Sequence, residues 1–448
     1  MTVTEPREAK VFRFLRCNYD GATGNAALVY ALDDGPELIE TIGFPDAPQD
    51  LPAPRRAAFL RALQWLHLVA GISYYKAALP PTIRIEGEGI DAASAERLTT
   101  IYLQGLGEFA HQNRLDLRGR IIFPATAAAA AAPAPLDLPR RTLVPIGGGK
   151  DSLVTVEMLR SLGEPMTAVW VGQSALIAAT ATATGLPLLN IGRSLSPLLF
   201  EMNRAGAWNG HIPVTAINSA ILIAASLLYG FDAIAFSNER SASSANLVVD
   251  GFAINHQWSK GLDFERLLRA QIQCQIAPDL DYFSALRPWS ELAVTRRFAA
   301  LSQYHGVFSS CNRNFRILAE RPASRWCGQC PKCHFVFLAL APFLPKPSLL
   351  AIFGRNYLDD ATLAADYDAL LEIAAHKPFE CVGEGRESRA AMAALSARAE
   401  WREDALVARF AGHQAALLDP AELALAPLLA PAAEHFLPAR LHGLLDAH

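Results

Sequence analysis

The sequence predicts an α/β protein with a doubly wound parallel sheet, an N-terminal α+β domain and a C-terminal helical region. Short apolar runs alternate with helix-like segments from about residue 140, a pattern typical of a parallel sheet covered on both faces. An alanine- and proline-rich stretch separates this part from a differently patterned N-terminus. The predicted boundaries are 1–123 for the N-terminal domain, 124–139 for the linker, 140–345 for the doubly wound domain and 346–448 for the helical region.

The N-terminal domain begins with two strand-like runs, "KVFRFLRCNY" and "AALVYAL". A long segment with helical spacing, "AAFLRALQWLHLVAGISYYKAAL", follows them, and "TIRIEG" predicts one more strand. We find no chemical motif in this part of the chain. It is therefore predicted to be an α+β unit without an assigned chemical role.

The doubly wound domain begins with the strand "RTLVPI", a glycine-rich loop and the helix "SLVTVEMLRSL". Further strands ("MTAVWV", "LPLLNI", "DAIAFSNE") alternate with helices ("ALIAATATATG", "NSAILIAASLLYG"). Because ligands of such sheets bind at the carboxyl ends of the strands, the glycine loop and "SNERSA" at 237–242 are expected to share one crevice. From residue 346 the pattern is helical, with a polar interruption, "HKPFECVGEGRES", at 376–388.

Composition excludes several classes of protein. With 51% hydrophobic and 19% charged residues the chain can bury sizeable cores, and a net charge of −4 argues against nucleic acid as a partner. The first residues, "MTVTEPREAKVFRF", lack the apolar core of a secretory signal. The longest apolar stretch, 216–236, is broken at Gly230 and so predicts a helix, a turn and a strand. We expect a soluble, cytoplasmic protein with no membrane partner.

The glycine loop "GGGKDS" suits the binding of a phosphate, because its backbone N–H groups and the following helix N-terminus form an anion site. It is neither a Walker A loop nor a dinucleotide fingerprint. It resembles the PP-loop, S-G-G-x-D-S, of ATP pyrophosphatases, with a glycine in place of the first serine. In this interpretation backbone amides bind pyrophosphate, a lysine supplies counter-charge, an aspartate holds Mg²⁺ and a serine adds a hydroxyl. The residues concerned are Gly147, Gly148, Gly149, Lys150, Asp151 and Ser152. The alternative is a plain glycine-rich turn.

Four of the seven cysteines cluster late in the doubly wound domain, at Cys311, Cys327, Cys330 and Cys333. The last three are separated by two residues each, a spacing that lets their sulfurs converge on one ion. A structural zinc is the first interpretation. An iron–sulfur cluster needs the same ligands, and unliganded thiols are the third alternative.

Polar residues follow the last predicted strand of this domain at unusual density. They predict a site for an anionic ligand with several hydrogen-bonding groups, and the alternative is a solvated loop. The candidate substrate residues are Asn238, Arg240, Ser241, Asn255, Trp258 and Lys260. Glu239 and His256 lie among them, and His211 is a further candidate acid or base, although a lone histidine is more often structural.

Together, "GGGKDS", "SNERSA", "NHQWSKG", the Cys-x-x-Cys-x-x-Cys cluster and "KPFECVG" resemble the UDP-N-acetylmuramoyl-L-alanyl-L-glutamate epimerases of bacterial peptidoglycan synthesis. The resemblance implies that the terminal L-glutamate of UDP-MurNAc-L-Ala-L-Glu becomes D-glutamate through an acyl adenylate, while ATP and Mg²⁺ are used and AMP and diphosphate are released. It also implies a functional partner, a ligase that adds L-glutamate to UDP-MurNAc-L-Ala. The candidate acids and bases, in order, are His256, His211, Glu239 and Cys381.

Two other classes of function remain open at this point. One is a PP-loop ligase or sulfurtransferase that modifies a nucleobase or tRNA. The other is a non-catalytic protein that binds ATP without turnover.

Overall fold

The structure is a computed structural model that describes residues 5–126, 132–315, 322–374 and 376–446. Residues 127–131 of the predicted linker lie outside the described residues. The strands are β1 Val11–Asp20, β2 Asn25–Leu32, β3 Leu38–Gly43, β4 Thr82–Ile85, β5 Thr142–Pro145, β6 Met166–Val171, β7 Leu188–Ser194, β8 Ala233–Phe236, β9 Leu247–Val249, β10 Phe252–Ile254 and β11 Asp281–Ser284.

Nine of these strands form one sheet in the order β11-β8-β5-β6-β7-β3-β2-β1-β4. Strands β11, β8, β5, β6 and β7 run parallel to their neighbours, whereas β3, β2 and β1 form an antiparallel meander with β4 added in parallel. The two parts meet where β3 pairs antiparallel with β7, with Thr41 opposite Ser194. The predicted α/β class with a mostly parallel central sheet is confirmed. One continuous sheet runs through the N-terminal meander and the alternating part of the chain.

Helices cover both faces of the parallel strands. They are α1 Ala53–Ala70, α2 Ile72–Ala78, α3 Ala92–Gly105, α4 Gly107–Gln112, α5 Lys150–Ser161, α6 Ala175–Ala183, α7 Pro197–Arg204, α8 Val214–Tyr229, α9 Leu262–Gln271, α10 Glu291–Ala299, α11 Pro331–Leu340, α12 Lys346–Phe353, α13 Ala364–Leu370, α14 Gly385–Ser396, α15 Ala405–Arg409 and α16 Ala426–Leu429. Neighbouring residues of β5 belong to different cores, Leu143 to the one shared with α8 and Val144 to the one shared with α5. This alternation is the reason that the strands are apolar throughout.

The apolar stretch 216–236 folds as its sequence predicts. Helix α8 ends at Gly230, which adopts a left-handed conformation with φ of 79°, and β8 follows. The Arg55 guanidinium of α1 donates hydrogen bonds to the carbonyls of Leu227 and Leu228 in the last turn of α8. Within the described residues, no helix has the length and hydropathy needed to cross a membrane.

The long helix predicted over 57–79 is two helices, α1 and α2, which are divided at Gly71. A Cβ on Gly71 would lie 2.4 Å from the Phe14 ring, so the backbone passes directly against β1 at this point. The strands β3 and β11 and the hairpin β9–β10 were not predicted. Strand β3 carries Glu40, which is fully buried and paired with Arg193 of β7 at 2.7 Å. A buried carboxylate interrupts the apolar pattern from which a strand is predicted, so the sequence of β3 did not indicate a strand.

In the described part of residues 346–448 the regular structure is helical, as predicted. Helices α11–α16 pack around a core that contains the buried Trp401 and extends to α5 and α10. The polar interruption at 376–388 passes through this region and carries Cys381 back towards the sheet, where it lines the cavity described below.

Candidate active site

The glycine loop joins β5 to α5 at the carboxyl edge of the sheet. Gly148 has a φ of +84°, and a Cβ there would lie 2.8 Å from Leu176 Cδ2, whereas a Cβ on Gly149 would lie 2.9 Å from Ser310 Oγ. Gly149 is also the N-cap of α5 and has no side chain to accept from the first-turn N–H groups. These groups are therefore available to an anion.

A cavity of about 290 Å³ opens at this edge. Its polar part contains the glycine loop, Asp151 and Ser152, the segment after β8 with Asn238, and three groups from distant parts of the chain, Lys260, Lys332 and Cys381. An apolar part is formed by Ile146, Val169, Val171, Leu222 and Phe236. The prediction that the glycine loop and "SNERSA" share one crevice holds for Ser237 and Asn238, whereas Arg240 lines a different cavity, described below.

Lys150 does not point into this cavity as a free cation. Its side chain is fully buried, and Nζ contacts the Asp151 carboxylate and lies 2.8 Å from Glu291 Oε1. Burial alone would lower the pKa of Lys150, but the Asp151 and Glu291 carboxylates outweigh this and raise it. The motif lysine is thus already neutralised by two acids before any ligand binds.

Three carboxylates converge beside the glycine loop. One oxygen each of Asp151, Glu239 and Glu291 lies within 4.8 Å of the others. Glu291 is buried, and its Oε2 has no hydrogen-bond partner among the described residues. Burial, and then the negative charges of Glu291 and Asp151, raise the pKa of Glu239 to about 7. Carboxylate oxygens in this arrangement are the ligands that Mg²⁺ prefers.

Cys381 is the centre of a second polar group at the cavity. The Lys260 ammonium lies 3.2 Å from its sulfur, and His256, which hydrogen-bonds to Cys381, also contacts the Glu108 carboxylate through Nδ1. Burial would raise the pKa of the Cys381 thiol, but Lys260 and His256 outweigh it and lower this pKa to about 5. Burial would lower the pKa of His256, but its bonds to Cys381 and Glu108 raise it to about 10. The group is consistent with a thiolate between two cations.

His211 belongs to the same group but in a different protonation state. Its Nδ1 lies 3.7 Å from Glu108 Oε2, and its ring centroid is 4.4 Å from that of His256. Burial first, and then the positive His256, lower the pKa of His211 to about 4. A neutral His211 packs against a charged His256 while both share Glu108.

The predicted substrate residues divide between two cavities. Asn238 and Lys260 line the first, whereas Arg240, Asn255 and Trp258 line a second cavity of about 330 Å³. The Asn255 side chain is engaged in holding its own loop, donating to Ala242 O at 3.0 Å and accepting from Gln257 N at 2.7 Å. These residues lie close together in the sequence, and nothing in the sequence indicated that they line two different cavities.

Ser241 plays a local part instead. It is buried, and its hydroxyl accepts a hydrogen bond from Glu291 N at 3.2 Å. This contact ties the segment after β8 to the start of α10, the helix that carries Glu291.

A buried arginine holds the walls of the site together. Arg287 pairs with Glu265 at 2.9 Å and donates to the main-chain carbonyls of Glu239, at 2.8 Å, and of Lys260. Because these carbonyls belong to separate segments, one guanidinium with a hydrogen bond on every nitrogen fixes the distance between the three carboxylates and the Lys260–Cys381 pair.

The four clustered cysteines lie beside the glycine loop. The sulfur of Cys330 is 4.0 Å from that of Cys311 and 3.5 Å from that of Cys333, and Cys327 is 3.8 Å from Cys333. A tetrahedral ion bonded to four sulfurs at ~2.3 Å sets them about 3.8 Å apart. In an iron–sulfur cluster the four cysteines are shared among two or four irons, which spreads the set of sulfurs more widely than a single ion does. The spacing therefore fits a single ion such as zinc.

Sequence reasoning missed three charged residues of the site, Glu108, Glu291 and Lys332. Glu291 begins α10 directly after its N-cap Ser290, a common place for a glutamate, so its sequence context gave no functional signal. Glu108 lies in α4 of the N-terminal region, where we found no motif. Lys332 had a signal in the sequence, because it lies inside the cysteine motif, between Cys330 and Cys333.

Two family models match the chain: the MurL N-terminal domain over residues 3–285 and the MurL C-terminal domain over residues 307–424. This chain belongs to the MurL family. A relative from Xanthomonas oryzae pv. oryzae (strain MAFF 311018) is 57% identical over 441 residues, which is 98% of each protein. Its name is UDP-N-acetyl-alpha-D-muramoyl-L-alanyl-L-glutamate epimerase. The resemblance predicted from the sequence is confirmed.

Two further relatives of the same name are less similar to this chain. The protein from Salinispora tropica (strain ATCC BAA-916) is 41% identical, covering 90% of this chain and 88% of its own length. The protein from Micromonospora sp. (strain ATCC 39149) is 43% identical and covers 90% of each chain. The relationship thus spans both matched MurL regions and supports an epimerase activity. Both regions also form the cavity, the first through the glycine loop and Lys260 and the second through Lys332 and Cys381.

Proposed function

We propose that this protein epimerises the terminal L-glutamate of UDP-MurNAc-L-Ala-L-Glu to D-glutamate, using ATP to form an acyl adenylate and releasing AMP and diphosphate. The observation that carries the proposal is that the glycine loop and Cys381 line one cavity. Activation of the carboxylate and proton transfer at the neighbouring carbon need two sites a few ångströms apart. The names of the relatives support the substrate.

The chemistry explains why an epimerase would use ATP. A proton on the carbon beside a free carboxylate is very weakly acidic, since its carbanion would face a full negative charge. In the adenylate the carboxylate becomes an acyl phosphate, and the carbanion can delocalise as an enolate. A positioned base contributes about 10²- to 10⁴-fold, which is useful only after this activation.

The reaction would proceed in four steps. A carboxylate oxygen attacks the α-phosphorus of ATP and expels diphosphate. The Cα proton then moves to the base while the C–H electron pair delocalises onto the acyl oxygen. An acid on the other side of this carbon then delivers a proton to the opposite face, which inverts the centre. Water adds to the acyl carbon and the acyl C–O bond breaks, so AMP leaves with one oxygen of the original carboxylate and the oxygen of water replaces it in the glutamate.

Cys381 is the favoured base among our four candidates. Its sulfur lines the cavity, and the pKa lowered to about 5 makes it a thiolate at neutral pH. His256 lies behind it and acts through it, and Glu108 holds His256 in place. Glu239 belongs to the carboxylate group beside the glycine loop. The order of the candidates thus changes from the one that the sequence suggested.

Two metal sites complete the proposal. Asp151, Glu239 and Glu291 would hold Mg²⁺, which supplies charge neutralisation to the phosphates, and the unpartnered Oε2 of Glu291 supports this. The four cysteines would hold a structural zinc.

We also propose that the parallel strands β5–β8 and β11 form a PP-loop-type ATP domain. The substrate would come from a ligase that adds L-glutamate to UDP-MurNAc-L-Ala.

One incubation tests the function. The protein is mixed with ATP, Mg²⁺ and UDP-MurNAc-L-Ala-L-Glu in D₂O, and AMP and deuterium at the glutamate Cα are measured. Both should appear, and exchange should stop when ATP is replaced by its α,β-methylene analogue. Exchange without ATP would contradict the adenylate mechanism. The mixture contains no ammonia or sulfur donor, so a ligase or sulfurtransferase would give no product.

A further inference from the structure

The cavity is lined by a lysine that belongs to no phosphate-binding motif. Lys332 lies in the first turn of α11, and its Nζ is 3.5 Å from Glu291 Oε1. It lines the cavity together with Ser309, Ser310 and Asn312, a part of the wall that touches the glycine loop at Ser309 and Ser310. A cation that lines this cavity is available to a phosphate held by the loop.

The other lysines of the site are already engaged. Lys150 is buried between Asp151 and Glu291 and is absent from the described lining of the cavity. Lys260 lines the cavity, but its ammonium is hydrogen-bonded to Cys381. Among the described lining residues, Lys332 is the remaining cation, and its long contact to Glu291 leaves its donors available.

The cysteine cluster holds this wall against the glycine loop. Lys332 lies between Cys330 and Cys333, and Cys311 follows Ser310 directly. Ser309 N donates a hydrogen bond to Gly148 O at 2.9 Å. The cluster and the loop are therefore in direct contact, and the position of Lys332 relative to the loop is set by both.

We propose that Lys332 binds the phosphate chain of ATP, as the cation that the motif lysine does not supply. The proposal rests on the proposed ATP-dependent function. The segment that carries Cys330 and Cys333 would then supply an ATP-binding residue as well as metal ligands. The Lys332 ammonium would pair with the diphosphate portion, near the glycine loop, while the adenosine lies elsewhere in the cavity.

Binding measured by calorimetry, without turnover, tests the proposal. Lys332→Gln should weaken ATP and inorganic pyrophosphate by about tenfold or more, the effect of losing a hydrogen bond to a charged group, and leave AMP nearly unchanged. Lys332→Arg should retain part of the affinity, because it keeps the charge. Lys10→Gln, which removes an exposed lysine outside the cavity, should bind like the parent.

The outcomes separate the two proposals. A parent protein that binds no ATP would contradict the proposed function itself. A parent that binds ATP, with Lys332→Gln binding ATP and pyrophosphate equally well, would overturn the role of Lys332 alone. An equal loss in Lys10→Gln, or a loss confined to AMP, would also overturn it. Unchanged metal content and melting temperature of Lys332→Arg and Lys332→Gln check that the cysteine cluster is intact.

Discussion

The Lys260 ammonium lies 3.2 Å from the sulfur of Cys381, although 121 residues separate them in the chain. Each group stabilises the charged form of the other: Lys260, with His256, lowers the pKa of the thiol to about 5, and Cys381 helps to raise the pKa of Lys260 against its burial. A buried cysteine without such partners would be an inert thiol. The pair favours the charged form of Cys381 at neutral pH, which is the form that the proposed base requires.

Cys381→Ser should separate activation from proton transfer. We expect pyrophosphate release with substrate present to continue, while deuterium exchange at the glutamate Cα falls by about 100-fold or more, the usual contribution of a placed base. Exchange is followed by NMR and pyrophosphate by a coupled assay. Cys274→Ser, at an exposed cysteine, is the matched control and should change neither. Exchange that survives in Cys381→Ser would place the base elsewhere.

The rate of exchange should depend on the charge of Cys381. Below a pH of about 5 the thiolate is protonated, so kcat/KM should fall on the acid side with that apparent pKa. His256→Gln removes a hydrogen bond and a positive charge that lower the pKa of Cys381, so the acid limb should move to higher pH.

A pH profile of exchange for both proteins checks this prediction. His256→Ala should likewise release pyrophosphate, while exchange near neutral pH falls because more of the Cys381 thiol is protonated. If the acid limb of the pH profile lies at the same pH in His256→Gln as in the parent, His256 does not act through the thiol. Loss of pyrophosphate release in His256→Ala would instead assign His256 to the binding of ATP or substrate.

Asp151→Asn should abolish AMP formation and preserve the fold. Lys150 keeps its second carboxylate, Glu291 at 2.8 Å, so the buried ammonium is not left unpaired. The proposed Mg²⁺ site would lose one of its three carboxylates. AMP is measured by chromatography and the fold by a melting curve, with Asp46→Asn in an exposed turn as the control. Normal turnover in Asp151→Asn would contradict the assignment.

Cys330→Ser should lose the metal and much of the stability. Cys330 is buried and contacts two other sulfurs of the cluster, and loss of a structural metal belongs to the changes that cost about 4 kcal/mol or more. We expect low solubility or a large fall in melting temperature, with Cys274→Ser unaffected. Metal analysis of the parent should find about one zinc per chain, as one four-cysteine site requires. A brown protein with visible absorbance would identify an iron–sulfur cluster instead.

Much of the fold follows from local patterns. Alternating apolar strands and helices predicted the parallel part of the sheet, and Gly230 predicted the end of α8. The shared crevice of the glycine loop and the segment after β8 followed from topology, since parallel strands end at one edge. The pairing of β3 with β7, however, joins residues about 150 positions apart. Such pairing depends on packing partners that no local window contains.

The site shows the same division more sharply. Local sequence by itself determined the glycine loop, the four cysteines and the polar segment after β8, because each is a pattern of neighbouring residues that chemistry can interpret. Tertiary structure decided that Lys150 faces two acids, that Arg240 and Trp258 line a different cavity from Lys260, and that Glu108 reaches His256 across 148 residues. Packing between distant segments sets the direction in which each of these side chains points. Because the side chains are buried, the charges they contact then determine whether they are protonated.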